Sequence, residues 1–179
     1  MESSKRFGMY SWVERRMFQI LGAWAADGSK PRLTVMFDDH SRRHWWHSTI
    51  WFDRLPELAN VDADGLVRTP SPELAALLDE VAEMTDTLER LTVGYQVVVT
   101  QLEATYRDEL NRLDRVGNAS ARHWLGFILQ NLSEELAEAQ SELDRAIRDD
   151  DDRARISAIR LNFEERFLAL GSSDAFAPE

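Results

Sequence analysis

The amino-acid sequence predicts an all-α protein, an antiparallel four-helix bundle with a short fifth helix at its C-terminal end. Apolar residues recur every three or four positions over most of the 179 residues, as they do on the buried face of an amphipathic helix. Turn-forming residues separate the periodic segments. Two helices, one long connection and then further long helices are the connectivity of bundles that contain a single crossover.

The first two predicted helices come before the long connection. The first covers residues 9–26 and ends there because Gly28 tolerates the left-handed conformation of a helix cap. The second covers residues 31–53, since Pro31 suits the first turn of a helix. Residues 55–72 are rich in Pro, Gly, Asp and Ser, which predicts an irregular crossover.

Three more helices are predicted after the crossover. One long helix covers residues 72–115, with a kink at the segment Thr92-Val93-Gly94 because glycine weakens a helix interior by about 1 kcal/mol relative to alanine. The next helix covers residues 119–148, after a turn that contains Gly117. The last helix covers residues 152–170 and follows a run of aspartates that can cap it.

Composition and length exclude several classes of protein. The absence of cysteine excludes a disulfide scaffold, a thiolate zinc site and an iron–sulfur cluster. The net charge of −11 argues against a nucleic-acid partner, because phosphates repel an acidic surface. No apolar run is long enough for a membrane span or a secretory signal, so we expect no membrane association and a cytoplasmic location. The length predicts one domain over residues 1–170 and a flexible tail over 171–179.

Four ionisable residues lie in the apolar stripes of the first two helices. Glu14 lies in the stripe of the first helix. His40, His44 and His47 follow one another at i, i+4 and i+7 in the second helix, so they project from one face toward the interior of the bundle. A buried polar group without a partner costs roughly 1–3 kcal/mol, so these side chains need partners.

A metal centre is one hypothesis for these residues. Imidazole nitrogens and carboxylate oxygens suit iron and other divalent ions such as manganese, zinc or nickel. His44 and His47 lie one helical turn apart, which is a chelating spacing, and later helices offer carboxylates near their own apolar stripes. The predicted metal ligands are Glu14, His40, His44, His47, Glu109 and Glu135.

Two other interpretations stay open. The histidines and Glu14 can form a hydrogen-bonded core network without chemistry. Alternatively, Glu14, His44 and His47 are catalytic residues of a metal-free acid–base pocket. The aromatic residues nearby can line a pocket for an apolar small molecule, or form core or a homodimer interface. The predicted substrate-binding residues are Trp46, Trp51, Tyr95 and Tyr106.

Three segments of residues 10–56 carry a resemblance to known proteins, namely Tyr10-Ser-Trp-Val-Glu14, His44-Trp-Trp-His47 followed by Trp51, and Asp53-Arg54-Leu55-Pro56. With these motifs the chain resembles a group of small actinobacterial helical proteins that is similar to the ferritin-like superfamily. It implies a ferritin-like bundle with a carboxylate-rich metal site in its core, used for oxygen chemistry or iron oxidation.

The di-iron motif of the ferritin-like superfamily is only partly matched. That motif takes one Glu from each of two helices and a Glu-x-x-His pair from each of the other two. Glu14 matches the first Glu, and His44-x-x-His47 stands where a Glu-x-x-His pair is expected. The chain contains neither copy of that pair, so a mononuclear site, or a bundle that has lost its metal, fits better.

Three hypotheses for function follow. The first is a small metal-dependent oxidoreductase or oxygenase that acts on an apolar molecule at the His/Glu centre. The second is a metal-free acid–base enzyme with a Trp-lined pocket. The third is a non-catalytic interaction module that forms a homodimer through its aromatic cluster, Trp45, Trp46, Trp51 and Phe52.

Overall fold

A computed structural model describes residues 2–28, 30–55, 63–171 and 175–176. These residues form helices, turns and short connections with no strand among them, which confirms the all-α prediction. Within the predicted crossover, residues 56–62 lie outside the described part of the chain. Most of the predicted tail also lies outside it, but Ala175 and Phe176 are described and are buried.

The chain divides into two compact units. The first comprises Met1–Leu78 together with Phe176–Glu179, and the second comprises Asp79–Ala175. The candidate residues on the first two helices therefore belong to the first unit, and those after residue 78 belong to the second.

The first unit is built around a pair of long helices. Helix α1 covers Glu2–Ala26 and α2 covers Pro31–Phe52. Gly28 in the turn between them has a φ of 63°, which is the left-handed conformation that glycine adopts without steric cost. A short 3₁₀-helix follows at Ala63–Leu66, and then α3 at Pro72–Ala82, whose residues 72–78 belong to this unit and whose last turn belongs to the second.

Aromatic side chains form the core between α1 and α2. The Trp51 side chain is fully buried, and its ring is stacked on that of Phe7 with centroids 5.3 Å apart. Tyr10 packs against the same indole at 5.3 Å. Trp24 and Phe37 make an edge contact at the other end of the helix pair. Such pairs add about 0.5–1.5 kcal/mol each beyond the burial of apolar area.

The second unit contains the remaining helices. Helix α4 is a single turn at Thr87–Glu89, and the chain continues as a π-helical segment at Arg90–Val99 and as α5 at Thr100–Arg112. Helix α6 covers Ala119–Ala146 and α7 covers Asp150–Ala169.

The prediction of one continuous helix over residues 72–115 is wrong. The helix ends at Ala82, and a new helix starts at Thr87, where Asp86 caps it with its side chain. The distortion expected near Gly94 is present as the π-helical segment rather than as a kink.

No helix in the described ranges of the chain combines the length and the apolar character that crossing a membrane requires.

Candidate metal centre

Two serine hydroxyls fix the register of α1 against α2. Ser11 Oγ donates to the carbonyl of Ser48 over 3.0 Å, and Ser41 Oγ donates to the carbonyl of Phe18 over 2.9 Å. The earlier residue of α1 contacts the later residue of α2, and the later residue of α1 contacts the earlier one of α2. The two helices are therefore antiparallel. Both serine side chains are buried, and each hydroxyl is satisfied by the opposite helix.

Glu14, His44 and His47 meet between these two serine contacts. Glu14 lies one turn after Ser11, and His44 lies one turn after Ser41. All three side chains have an exposed fraction of 0%. Each offers one ligand atom, and these atoms lie within 4.8 Å of one another, the one such group of three among the described residues.

One carboxylate oxygen of Glu14 lies close to both imidazole rings. His44 Nδ1 makes a short hydrogen bond to Glu14 Oε2. His47 Nδ1 lies 3.5 Å from the same oxygen. The two imidazole rings are close to perpendicular, with an interplanar angle of 76° and centroids 5.8 Å apart. The Nδ1 atom of each ring therefore faces Glu14.

The electrostatics of the site keep Glu14 ionised. Burial alone raises the pKa of this carboxyl, because a low dielectric disfavours charge. The charges of His44 and His47 and their hydrogen bonds outweigh burial and lower the pKa to about 2. The carboxylate is consequently charged at neutral pH when the imidazoles carry their protons, and a metal ion would have to displace those protons and compensate the carboxylate charge in their place.

This donor set suits a divalent transition metal. Two imidazole nitrogens and one carboxylate oxygen match the ligands that zinc, iron and similar ions prefer. Three protein ligands leave at least one coordination position for water or a substrate, as in catalytic rather than structural metal sites. Calcium and magnesium fit less well, because they prefer an all-oxygen shell.

The other predicted ligands do not belong to this group of three. His40 is buried and lies one turn before His44 on α2. Glu109 on α5 and Glu135 on α6 are buried within the second unit. Three of the six predicted ligands, namely Glu14, His44 and His47, therefore form the candidate centre.

The predicted substrate-binding residues fall into two pairs. Trp46 and Trp51 are on α2, in the first unit; the Trp46 ring lies 6.0 Å from that of His47, and 39% of its surface is exposed. Trp51 is part of the core described above. Tyr95 in the π-helical segment and Tyr106 in α5 are both buried in the second unit.

Sequence reasoning missed the two serines that hold the helix register. Ser11 and Ser41 each stand three residues before a site residue, on the side of the helix that packs against the other helix. A small hydroxyl at such a position is the signal that could have identified them, because it can reach the backbone of a neighbouring helix.

Comparison with known proteins gives no relative for this chain. No family model matches it, and neither a curated protein nor a solved structure does. The resemblance to the ferritin-like superfamily therefore stays a prediction.

Proposed function

We propose that this chain is a metalloprotein whose Glu14, His44 and His47 bind one divalent metal ion. A single observation carries the proposal: three side chains that are fully buried bring one nitrogen or oxygen ligand each within 4.8 Å of the others. Burying three ionisable groups together is costly unless each has a strong partner, and a metal ion would supply that partner to all three.

The net charge of the metal and its three protein ligands indicates which further ligand would bind to the metal. A divalent ion with two neutral imidazoles and one carboxylate keeps one uncompensated positive charge. Because an isolated buried charge is unfavourable, the remaining coordination positions would favour an anionic ligand over a neutral one.

The proposed activity is that of a metal-dependent oxidoreductase on an apolar small molecule, in a ferritin-like antiparallel bundle. Two histidines and one carboxylate are the donor set of non-haem iron(II) oxygenases, so iron is the proposed metal. When bound, such an ion would activate oxygen or polarise the substrate. The half-exposed indole of Trp46 beside His47 supports an apolar substrate at this end of the site.

Metal analysis of the full chain, purified without a histidine tag, tests the proposal. We expect about one transition-metal ion per chain in the wild type, with a preference for iron(II) over magnesium. We expect the affinity to fall by at least the roughly 10- to 100-fold that loss of a supporting group costs, because His44→Ala and His47→Ala each remove a ligand and Glu14→Gln removes the charge of one. His123→Ala is the matched control, since His123 is exposed on α6 and lies outside the group.

Two results would overturn parts of the proposal. A protein that takes up no transition metal, or that binds it equally well in the three variants, contradicts the metal site. Metal binding without oxygen uptake after iron(II) is added to the metal-free protein contradicts the oxidoreductase assignment and leaves the metal site intact.

Acid–base chemistry without metal is the second candidate function. The pairing of His44 with Glu14 favours it, because a carboxylate that orients an imidazole is the arrangement of a general base. A metal-free protein whose activity requires both side chains would support it. The homodimer stays a prediction; Trp45 and Trp46 of the proposed interface are 47% and 39% exposed.

A further inference from the structure

The second unit contains a cleft with a volume of about 270 Å³ between the π-helical segment, α6 and α7. None of its lining residues belongs to the candidate metal centre, so the cleft does not depend on the metal proposed above; Tyr95, predicted from the sequence to bind substrate, is one of its lining residues. Its volume is just below the usual range of small-molecule sites in proteins, which fits a compact metabolite rather than a large cofactor.

The π-helical geometry brings its residues to this cleft. The i→i+5 hydrogen bond widens each turn to roughly four to five residues, compared with 3.6 in an α-helix. Leu91, Gln96 and Thr100 stand at this spacing and line the same wall. The Thr100 hydroxyl donates to the carbonyl of Tyr95 over 3.1 Å, which supports the wide turn where it returns to α-helix. Such turns are rare, and they are frequent at functional sites.

The rim of the cleft carries both signs of charge. Arg160 Nε and Glu164 Oε1 lie 3.6 Å apart on successive turns of α7, and the two side chains are 44% and 37% exposed. Ion pairs exposed in this way are weak, so a ligand that offers both charges can replace their mutual contact with little loss. The guanidinium suits a carboxylate, and the Glu164 carboxylate suits an ammonium group.

The wall and floor of the cleft suit an aliphatic group beside a polar one. Leu91 and Ala139 are almost completely buried and form its apolar part. Gln96 Nε2 donates to Gln140 Oε1 over 2.9 Å, so the carbonyl oxygen of Gln96 is the atom that can accept from a ligand ammonium. Apolar surface with a few convergent polar groups is the usual composition of a small-molecule site.

We propose that this cleft binds a small zwitterion with an aliphatic side chain, the chemistry of a free amino acid such as leucine. Arg160 holds the carboxylate, Glu164 and Gln96 hold the ammonium group, and the side chain lies against Leu91 and Ala139. The inference combines a cleft of the right size, a rare backbone geometry that forms one wall, and charges of both signs at its rim.

Calorimetric titration of the full chain with L-leucine tests the proposal, with two analogues as matched probes. We expect saturable binding below about 10 mM leucine. We expect 3-methylbutylamine, which lacks the carboxylate, and 4-methylpentanoate, which lacks the ammonium group, each to bind about tenfold or more weakly, because each leaves one rim charge unpaired. No binding of leucine, or equal binding of all three probes, overturns the proposal.

Two substitutions, each with a control variant, test whether leucine binds in this cleft. Ala139→Leu fills its floor and abolishes leucine binding, whereas Ala137→Leu, on the exposed face of α6, does not. Arg160→Met weakens binding about tenfold or more, whereas Arg153→Met, elsewhere on α7, does not. Arg160 is on the surface, so this variant tests the site even if Ala139→Leu fails to fold. Wild-type affinity in folded Ala139→Leu or in Arg160→Met contradicts the assignment.

Discussion

At the scale of single residues, Gly8 of α1 lies close against the backbone of the 3₁₀-helix. A Cβ atom built at this position would lie 2.1 Å from the carbonyl oxygen of Leu66, in the 3₁₀-helix. Backbone cannot rotate away as a side chain does, so Gly8→Ala must separate α1 from that segment. We expect this substitution to destabilise the protein by about 1–3 kcal/mol, measured by urea unfolding.

Gly126→Ala is the matched control for this prediction. Gly126 lies in the interior of α6, and a Cβ atom there would meet nothing within 4 Å. Alanine should therefore stabilise the protein by about 0.5–1 kcal/mol through helix propensity alone. If the two substitutions change the free energy of unfolding in the same direction, the close approach at Gly8 is not what governs its effect.

The sequence predicted those features of the candidate centre that depend on one helix at a time. The spacing of His44 and His47 places both rings on one side of α2 wherever that helix packs, and Glu14 lies in the apolar stripe of α1. Which carboxylates join them depends on how helices meet, which periodicity does not encode. Glu109 and Glu135 also lie near the apolar stripes of their helices, so the sequence pattern did not distinguish them from Glu14. In the structure, Glu14 is the carboxylate beside the two histidines.

At the scale of helices, apolar periodicity located most elements but did not detect the break before α4. Predicted helices over 31–53 and 119–148 correspond to Pro31–Phe52 and Ala119–Ala146. The apolar rhythm of Val81, Met84 and Leu88 continues through the break, so it gave no warning. The missed signal is the pattern Asp86-x-x-Glu89, which is typical of a helix start.

Asp86 caps the helix that starts after this break. Its Oδ1 accepts from the backbone N–H groups of Leu88 and Glu89 at 2.8 and 3.1 Å, and from Arg155 of α7 at 3.1 Å. We expect Asp86→Ala to cost about 1 kcal/mol, because two N–H groups lose their acceptor. This corresponds to a fall in Tm of roughly 2–4 °C for a chain of this size.

Asp86→Asn separates the cap from the ion pair. Asparagine caps helices as well as aspartate does but carries no charge, so this variant should retain most of the stability. Asp108→Ala, on an exposed part of α5, controls for the loss of one negative charge. A loss in Asp86→Asn as large as that in Asp86→Ala would assign the effect to Arg155 instead of the cap.

The π-helical segment was not predictable from residue types. Gly94 weakens a helix, but nothing in the β-branched run Val97–Thr100 distinguishes a wide turn from a kink. The segment packs against both α6 and α7, and those contacts choose the geometry by deciding which side chains must face the core. This is a case in which tertiary contacts override local preference.

At the scale of the whole molecule, the composition limits how the chain can be stabilised. It has no cysteine and therefore no disulfide, so its folded state depends on packing and on any ligand that binds it. The three candidate ligands stand at positions 14, 44 and 47, so binding one ion would hold α1 and α2 together. Because unfolding separates these ligands, metal binding and folding are linked.

Thermal unfolding measures this linkage directly. A metal ion at about 100 times its Kd adds about 2.7 kcal/mol to the free energy of unfolding, which corresponds to a rise in Tm of roughly 5–10 °C. We expect that rise when iron(II) or zinc is added to the metal-free wild type, and its reversal by a chelator. The rise should shrink as the pH is lowered, because protons compete with the ion for the imidazole nitrogens.

The variants decide whether the stabilisation comes from the proposed centre. His44→Ala and His47→Ala should show little or no rise in Tm at the same metal concentration, whereas His123→Ala should behave as the wild type does. An equal rise in all four proteins would mean that the ion binds elsewhere, for example at the surface carboxylates. Because the readout is unfolding, the result stands whether or not the loaded protein has catalytic activity, and it tests the centre separately from the proposed oxidoreductase chemistry.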